Sequence, residues 1–297
     1  MKECYIYKKL SGDKAGGNVQ CRACNHFCVI ENNKQGLCSV RKNMGGKLYS
    51  LTYAKPCAIN IDPIEKKPLY HFLPQTKTLS VATVGCNFKC LACQNYEISQ
   101  VERGSDPLQN WPGSDPLQIV EMAEKNYCPS ISYTYTEPTV FLEYAYDIMK
   151  LAKQAGLKNI WVSNGFFSPE TFETILPYLD AANIDLKSFD EEFYQKICGG
   201  HLQPILENLK RLKENKIHLE ITTLVIPTLN DSPTIFEKIA DFIANELSRD
   251  TPWHISRFSP EISWRLGHLP ATPLSTLQTA QQIAHSRGLQ NVHLGNV

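Results

Sequence analysis

The sequence has no excess charge of either sign, since thirty basic residues balance thirty acidic residues among 297. A balanced chain creates no broad positive field, so its composition does not favour nucleic acid or an anionic membrane as a partner. No apolar run approaches the roughly 18 residues of a membrane helix, and residues 1–13 lack the apolar core of a signal peptide. We therefore expect a cytoplasmic protein that binds neither nucleic acid nor a membrane.

Cysteine, in contrast, is plentiful, with 11 in the chain. Disulfides would be the first explanation in a small secreted protein, but in a cytoplasmic chain of this length clustered cysteines indicate metal binding or catalysis. The hydrophobic share of 42% is enough to bury a full core. The composition therefore predicts a soluble globular protein of enzyme size.

Two regions of different character follow one another along the chain. Residues 1–78 are rich in loops, whereas residues 79–297 alternate apolar strand-like runs with amphipathic helical segments. We therefore divide the chain into an N-terminal cysteine module and a larger α/β domain with a parallel sheet in right-handed βαβ units. The predicted strands are 79–84, 130–135, 159–164, 182–187, 218–226, 253–258 and 291–296.

Helix starts are marked by capping residues before proline, because proline at the first helical position loses no hydrogen bond. Gly156 and Asn215 are typical of helix C-terminal ends. The predicted starts are Asp115-Pro116, Ser168-Pro169, Ser232-Pro233 and Thr272-Pro273.

The segment GSDPLQ occurs at 104–109 and again at 113–118. Because this period is too short for a solenoid, we interpret the repeat as a duplicated loop.

Three cysteines directly follow the first predicted strand of the sheet. Cys86, Cys90 and Cys93 have the spacing C-x3-C-x2-C, and no fourth cysteine follows nearby. In a parallel α/β protein the functional groups lie at the carboxyl ends of the strands, where this loop begins. Three thiolates can hold three corners of a [4Fe–4S] cubane and leave the fourth iron open. The alternative is a zinc site that takes its fourth ligand from Cys57 or Cys128.

This spacing after a strand resembles the signature of the radical S-adenosylmethionine (SAM) superfamily, whose fold is a partial (β/α)6 barrel. The resemblance implies that SAM chelates the open iron through its amino and carboxylate groups. One electron, from a donor such as flavodoxin or ferredoxin, then gives methionine and a 5′-deoxyadenosyl radical that abstracts a substrate hydrogen. One position departs from the pattern, because Ala92 stands where the superfamily usually has an aromatic residue, and Phe88 or Tyr96 would have to supply that packing.

The resemblance also implies SAM contacts at the ends of successive strands. TYTEP, 134–138, is similar to the segment that holds the SAM ammonium, and IDLKSFD resembles a D-x-K segment beside SAM in activating enzymes of glycyl radical proteins. The first segment supplies Tyr135, Thr136 and Glu137, and the second supplies Asp185 and Lys187. The resemblance also implies that Ser163 and Asn164 contact the ribose, that Ile226 contacts the adenine, and that His254 and Arg257 contact the SAM carboxylate or the substrate.

Several of these residues have a simpler alternative role. Glu137 could cap a helix that begins at Pro138, and Asn164 precedes glycine in a dipeptide that is common in turns. A histidine near a strand end, such as His254, is more often structural. Lys187 needs a charge partner on an inward strand face, and this partner is either Asp185, which alternates to the same face, or the SAM carboxylate.

A second cysteine cluster lies in the N-terminal region. Cys21, Cys24, Cys28 and Cys38 are spaced C-x2-C-x3-C-x9-C, which satisfies tetrahedral zinc and equally an auxiliary iron–sulfur cluster. His26 lies inside the motif and could replace a cysteine or support one. We favour structural zinc narrowly, because a metal would supply folding free energy that a loop-rich segment lacks.

Together with DPIEKKPLYHF (62–72), GCNFKCLACQN, YTEPTVFLEY and the late HLGN, this cluster resembles the radical SAM enzymes of the AmmeMemoRadiSam system, relatives of pyruvate formate-lyase activating enzyme. The resemblance covers nearly the whole chain and implies hydrogen abstraction, either to form a glycyl radical in a partner protein or on another substrate. The second hypothesis is a zinc-binding adaptor with two cysteine sites. Polar groups at successive strand ends, Glu137, Asp185 and Lys187, favour the enzyme.

Overall fold

The N-terminal region forms two small antiparallel sheets. The computed structural model describes residues 1–10, 16–102, 104 and 112–297. The sheets have the orders β1-β6-β5 and β2-β3-β4, and Gly45 and Gly46, both with positive φ, make the tight turn between β5 and β6. The strands are β1 Lys2–Glu3, β2 Tyr7–Lys9, β3 Val19–Cys21, β4 Val29–Ile30, β5 Arg41–Met44 and β6 Lys47–Ser50.

Eight further strands form the main sheet in sequence order, β7 to β14, with β7 antiparallel to β8 and all the others parallel. All seven predicted strands are confirmed, whereas β7 was not predicted. Because β7 pairs with β8, the main sheet extends into the range 1–78 that we assigned to the N-terminal module. The strands are β7 Ala58–Pro63, β8 Lys77–Ala82, β9 Ser130–Tyr133, β10 Lys158–Ser163, β11 Ala181–Asp185, β12 His218–Val225, β13 Trp253–Arg257 and β14 Val292–Gly295.

In the part of the chain that the structure describes, eight α-helices and several short 3-10 and π segments accompany these strands. Among the residues that the structure describes, no helix combines the length and apolar character that crossing a membrane requires. Of the duplicated GSDPLQ segment, residues 105–109 lie outside the described residues, and the second copy runs into α2. The helices are α1 Tyr96–Ser99, α2 Pro116–Lys125, α3 Leu142–Gln154, α4 Pro169–Ile175, α5 Glu191–Phe193, α6 Gln203–Glu214, α7 Pro233–Phe242 and α8 Leu274–Ser286.

Three of the four predicted helix starts are confirmed. Asp115, Ser168 and Ser232 each accept a hydrogen bond from a backbone N–H of the first turn, with proline next to the cap. The fourth was wrong, because α8 begins one residue later and Thr272 does not cap it. Instead, the Thr272 hydroxyl accepts from the N–H of Phe258, 3.1 Å away, and donates to a β12 carbonyl. Both predicted helix ends are confirmed: Gly156 follows the C-terminal cap of α3, and Asn215 is the C-terminal cap of α6.

The two faces of the main sheet differ in chemistry. Because the strand order follows the sequence, right-handed crossovers place the connecting helices on one face. That face is apolar and fully buried, while the opposite face carries small polar side chains in the alternating register of the strands. The helix-covered face includes Leu79, Ile131, Trp161, Ile184, Ile221 and Trp253, and the polar face includes Ser80, Ser132, Asn183, Thr222 and Ser256.

Candidate active site

The loop that carries Cys86, Cys90 and Cys93 begins at the carboxyl end of β8, and all three side chains are half-buried. Burial raises the pKa of Cys86 well above its usual value, with smaller contributions from Glu137 and the other two thiols. The pKa of Cys90 is instead lowered, because the neighbouring Cys198 side chain and the positive charge of Lys187 favour its thiolate. The three thiols therefore lie close enough to influence one another's ionisation.

The loop is fixed by backbone hydrogen bonds to two other strand connections. The N–H groups of Lys89 and Leu91 donate to the carbonyls of Cys198 and Ile197, at 2.8 and 2.9 Å, in the π segment after α5. On the other side, the N–H of Trp264 donates to the carbonyl of Cys93 at 3.1 Å, from the connection that follows β13. These bonds hold the cysteine loop across the carboxyl edge of the sheet.

Phe88 is the buried aromatic residue of the loop, and it lies between Cys86 and Cys90 in the sequence. Its ring packs so closely on Gly200 that a Cβ at position 200 would lie 2.2 Å from it. The ring also lies 5.1 Å from that of Phe166, measured between centroids. Phe88 therefore supplies aromatic packing inside a loop whose third cysteine follows Ala92 instead of an aromatic residue.

Residues 134–137 form a turn that is hydrogen-bonded to both ends of the cysteine loop. The Thr136 hydroxyl donates to the carbonyl of Thr83 at 2.7 Å, and the Asn95 amide donates to the carbonyl of Tyr135 at 2.8 Å. Tyr135 has a φ of 63°, a strained conformation for a bulky residue. The turn after β9 is therefore held against the loop in one defined geometry.

Glu137 has the capping role that we considered as an alternative. Its carboxylate accepts from the N–H of Thr139 at 3.1 Å at the start of the 3-10 segment Pro138–Phe141. It also accepts from the Ser163 hydroxyl at 2.9 Å and the Asn164 N–H at 2.9 Å, so it joins the ends of β9 and β10. Burial raises the pKa of Glu137, and these hydrogen bonds oppose the rise.

Asp185 and Lys187 form the ion pair that we expected, with 2.7 Å between Lys187 Nζ and Asp185 Oδ2. The backbone N–H of Lys187 donates to the Tyr194 hydroxyl at 2.9 Å. Although burial opposes its charge, Asp185 and the nearby thiols of Cys90 and Cys198 raise the pKa of Lys187. The pair therefore lies beside the cysteine loop, as its place at the end of β11 predicts.

Among the described residues, no hydrogen bond joins three of the proposed contact residues to this cluster. His254 lies near the amino end of β13, with its Nε2 2.7 Å from Glu220 Oε2. The guanidinium of Arg257 donates to the carbonyl of Thr272 at 2.9 Å. Ile226 is buried directly after β12, and its N–H donates to the side chain of Asn230.

Sequence reasoning missed Cys198, whose backbone carbonyl accepts from the Cys90 thiol at 4.0 Å and whose own thiol favours the Cys90 thiolate. It lies more than a hundred residues away in the chain, in the π segment Tyr194–Cys198, and belongs to no spaced motif. Its proximity to the loop depends on the pairing of distant strands. No local signal in the sequence could therefore have identified it.

The cysteine loop matches a cubane cluster in donor type. Within residues 1–10, 16–102, 104 and 112–297, no three His, Cys, Asp or Glu side chains converge closely enough to hold a single metal ion. A [4Fe–4S] cluster makes a different demand, because its thiolate ligands bind separate irons around one body. Cys86, Cys90 and Cys93 present three thiols around one loop, which suits such a body.

The four N-terminal cysteines line one small cavity at the base of the module. Its volume is about 20 Å³, and Cys21, Cys24, Cys28 and Cys38 all contribute to its wall. Burial raises the pKa of the Cys21, Cys24 and Cys38 thiols. The buried ion pair between Arg41 and Glu143 lies beside them, with 2.7 Å between Nη2 and Oε2. The structure thus brings together all four cysteines that the spacing grouped.

Comparison with known proteins places this architecture in a family. The family model described as the Radical SAM superfamily matches residues 80–243, more than half of the chain. An uncharacterised protein of Methanocaldococcus jannaschii is 42% identical over 297 residues, which is 100% of this chain and 86% of that protein. A pyruvate formate-lyase-activating enzyme of Clostridium pasteurianum is 24% identical over 170 residues, 54% of this chain and 67% of that enzyme.

The solved structure of Streptococcus suis SuiB bound to its precursor peptide SuiA has the same fold. The TM-score is 0.57 at 14% identity, over 78% of this chain and 51% of that one. On the strength of the family match and of the relative that spans its full length, the chain belongs to the radical SAM superfamily.

Proposed function

We propose that the chain is an enzyme that holds a [4Fe–4S] cluster on Cys86, Cys90 and Cys93 and binds SAM beside it. The proposal rests on one observation: the three thiols, the 134–137 turn and the Asp185–Lys187 pair meet at one edge of a parallel sheet. When bound, the cluster supplies the electron that cleaves SAM to methionine and a 5′-deoxyadenosyl radical, which abstracts a substrate hydrogen.

The chain's own residues position these groups. The positive charge of Lys187 favours the thiolate of Cys90, which is the form that binds iron. The 134–137 turn and the Ser163–Asn164 end of β10 are held together by Glu137, and we propose that they contact SAM through their remaining polar atoms. The adenine would lie against Ile226.

We leave His254 and Arg257 out of the proposed SAM site. Glu220 occupies the Nε2 of His254, and the carbonyl of Thr272 occupies the Nε of Arg257. The buried hydrogen bond of His254 is expensive to break. Arg257 is half-buried, and its Nε is committed to a backbone carbonyl. We propose structural roles for both residues.

We infer that the substrate is a protein or peptide segment. The support comes from the Clostridium pasteurianum relative, whose name states that it activates pyruvate formate-lyase, and from the resemblance to the AmmeMemoRadiSam enzymes. The reaction would remove one hydrogen atom from that segment, as in glycyl radical formation. A small reducing protein such as flavodoxin or ferredoxin would deliver the electron.

The experiment compares two cysteine variants after anaerobic reconstitution. Cys90→Ala should lose the cluster iron and all 5′-deoxyadenosine formation while it keeps any metal at the N-terminal cysteines. Cys57→Ala is the matched control, because Cys57 is also half-buried but directly precedes β7 and lies outside the loop, so iron and cleavage should be retained. Iron and SAM cleavage at wild-type levels in Cys90→Ala would refute the assignment.

A further inference from the structure

Asn87 connects the two cysteine sites of the chain. It lies between Cys86 and Phe88 in the cysteine loop, yet it also lines the cavity formed by the four N-terminal thiols. The residue is 3% exposed. A residue of the proposed catalytic loop therefore forms part of the wall of a separate cysteine site.

The hydrogen-bond network fixes the orientation of the Asn87 amide. The N–H of Phe166 donates to Asn164 Oδ1 at 3.0 Å, so the other side-chain atom of Asn164 must be its Nδ2 donor. That donor lies 2.7 Å from Asn87 Oδ1, which must accept. The remaining atom, Asn87 Nδ2, is thus an N–H donor, and it is buried without an acceptor among the described residues.

A buried donor without an acceptor is costly and calls for a partner at the site. The cavity offers Asn87 four sulfur atoms. A neutral thiol is a weak acceptor, whereas a metal-bound cysteine is a thiolate that carries negative charge. The unpaired N–H therefore indicates that the N-terminal cysteines are thiolates, and hence that they bind a metal.

The size of the cavity favours the smaller kind of metal centre. Its volume of about 20 Å³ is enough for a water-sized sphere, and a single ion fits it without displacement of the walls. The four thiols line the cavity without converging on one point, so the ion would draw them inward.

We propose that Cys21, Cys24, Cys28 and Cys38 hold one divalent ion of the zinc type and that Asn87 donates its amide N–H to one of the bound thiolates. The ion would then fix the loop that carries Cys86. Two further contacts reinforce this link: His26 Nε2 donates to the Asn87 carbonyl at 2.9 Å, and a Cβ at Gly85 would lie 2.9 Å from the Cys38 carbonyl.

The metal half of the proposal is tested with Co²⁺ as the probe, because cobalt bound by four thiolates has intense charge-transfer and visible bands. The protein carries Cys90→Ser and Cys93→Ser, so that Co²⁺ reports on the N-terminal thiols alone. One Co²⁺ per chain with a tetrahedral thiolate spectrum is expected. Failure to bind Co²⁺, or iron at these thiols after anaerobic reconstitution of the wild type, would overturn the proposal.

The role of Asn87 is tested by Asn87→Leu in the same protein. The loss of a hydrogen bond to a metal ligand should weaken Co²⁺ binding about ten- to a hundredfold. The control is Gln100→Leu, because the Gln100 amide also contacts the loop, at the Phe88 carbonyl, but does not line the cavity. It should stay within about twofold of the parent protein. Equal affinities in the two variants would overturn the role of Asn87.

Asn87→Asp keeps the shape and the acceptor oxygen of the side chain, but it replaces the N–H donor by a second, negatively charged oxygen that repels thiolates. It should weaken Co²⁺ binding as Asn87→Leu does, and wild-type affinity would contradict the proposal. These assays require neither iron nor SAM, so they can succeed even if the proposed function fails.

The link between the sites rests on the proposed function. Removal of zinc from the reconstituted holoenzyme with a chelator should weaken SAM binding severalfold, and added Zn²⁺ should restore it. An unchanged SAM affinity would mean that the ion does not fix the catalytic loop.

Discussion

Lys67 Nζ lies 2.7 Å from the carboxylate of Asp62 and 4.2 Å from the centre of the Tyr135 ring. The Tyr135 hydroxyl and the Ser80 hydroxyl donate to the same carboxylate. Although burial alone would raise it, hydrogen bonds from Lys67 and Tyr135 hold the pKa of Asp62 well below its usual range. This network ties β7 to the strained turn beside the cysteine loop.

Replacement of Lys67 by methionine should weaken SAM binding. The variant leaves Asp62 without its buried cation and removes the support under Tyr135, so the 134–137 turn loses its fixed geometry. A loss of about tenfold in affinity corresponds to one hydrogen bond of ordinary strength. Equilibrium binding of SAM to the reconstituted protein measures it.

The control for this prediction is Lys66→Met. Lys66 contacts the same carboxylate at 2.9 Å, but its side chain is 63% exposed. An exposed ion pair contributes little, so SAM affinity should stay within about twofold of the wild type. Equal losses in the two variants would argue against a specific role for the buried lysine.

Cys198 should tune the reduction potential of the cluster. Its thiol neighbours that of Cys90 and favours the Cys90 thiolate. We expect it to donate a hydrogen bond to the cluster-bound sulfur, and hydrogen bonds to cluster sulfurs raise the reduction potential. Cys198→Val removes the donor, so the potential should fall by roughly 20–65 mV, the equivalent of a hydrogen bond of about 0.5–1.5 kcal/mol in a one-electron couple. Redox titration followed by electron paramagnetic resonance measures the change. Cys198→Ser keeps a donor and should stay nearer to the wild type, whereas a potential unchanged in Cys198→Val would contradict the assignment.

Glu220 makes the folded state sensitive to acid. Burial alone would raise its pKa, but contacts with His218, His254 and the N–H groups of Tyr70 and His71 lower the pKa of Glu220 from 4.5 to about 2. A carboxylate whose pKa is lower in the folded state than in the unfolded state stabilises the folded state at pH values above its unfolded-state pKa. This stabilisation is lost as the pH falls through its folded-state pKa. The contribution, about 3 kcal/mol, is therefore complete above pH 4.5 and lost towards pH 2.

The variant Glu220→Gln isolates this effect. It should be less stable than the wild type at pH 7, and the difference should shrink as the pH falls from 4.5 to 2. Unfolding by urea at several pH values, followed by tryptophan fluorescence, measures the two free energies of unfolding. A difference that stays constant over this range would show that the carboxylate is not the source of the acid sensitivity.

The parallel strands were predictable because each has an apolar face that packs under the helices. Strand β7 was not predicted, because it lies at the sheet edge, with exposed residues such as Asn60 and Ile61 among its six, and ends in proline. The N-terminal strands have only two to four residues, too few for a periodic pattern. Thr272 has the residue type of a helix cap, but its tertiary contacts to β12 and Phe258 determine its role.

The candidate site was predictable only where its residues are close in sequence. Cys86, Cys90 and Cys93 lie on one loop, so their spacing identifies them. The contacts of Cys198 and Lys67 arise from strand pairing across long stretches of chain, which spacing does not encode. A strand pattern also does not show which neighbour will bind a polar side chain, and so the attachment of His254 to Glu220 could not be foreseen.

The central claim is that the cysteine loop holds a cluster at which SAM is cleaved. The most direct measurement is 5′-deoxyadenosine formation from SAM with dithionite, together with the iron and zinc content of the anaerobically reconstituted protein. The account predicts about four irons and one zinc per chain with measurable 5′-deoxyadenosine. Zinc without iron, and no 5′-deoxyadenosine, would contradict it and favour a zinc-binding adaptor instead.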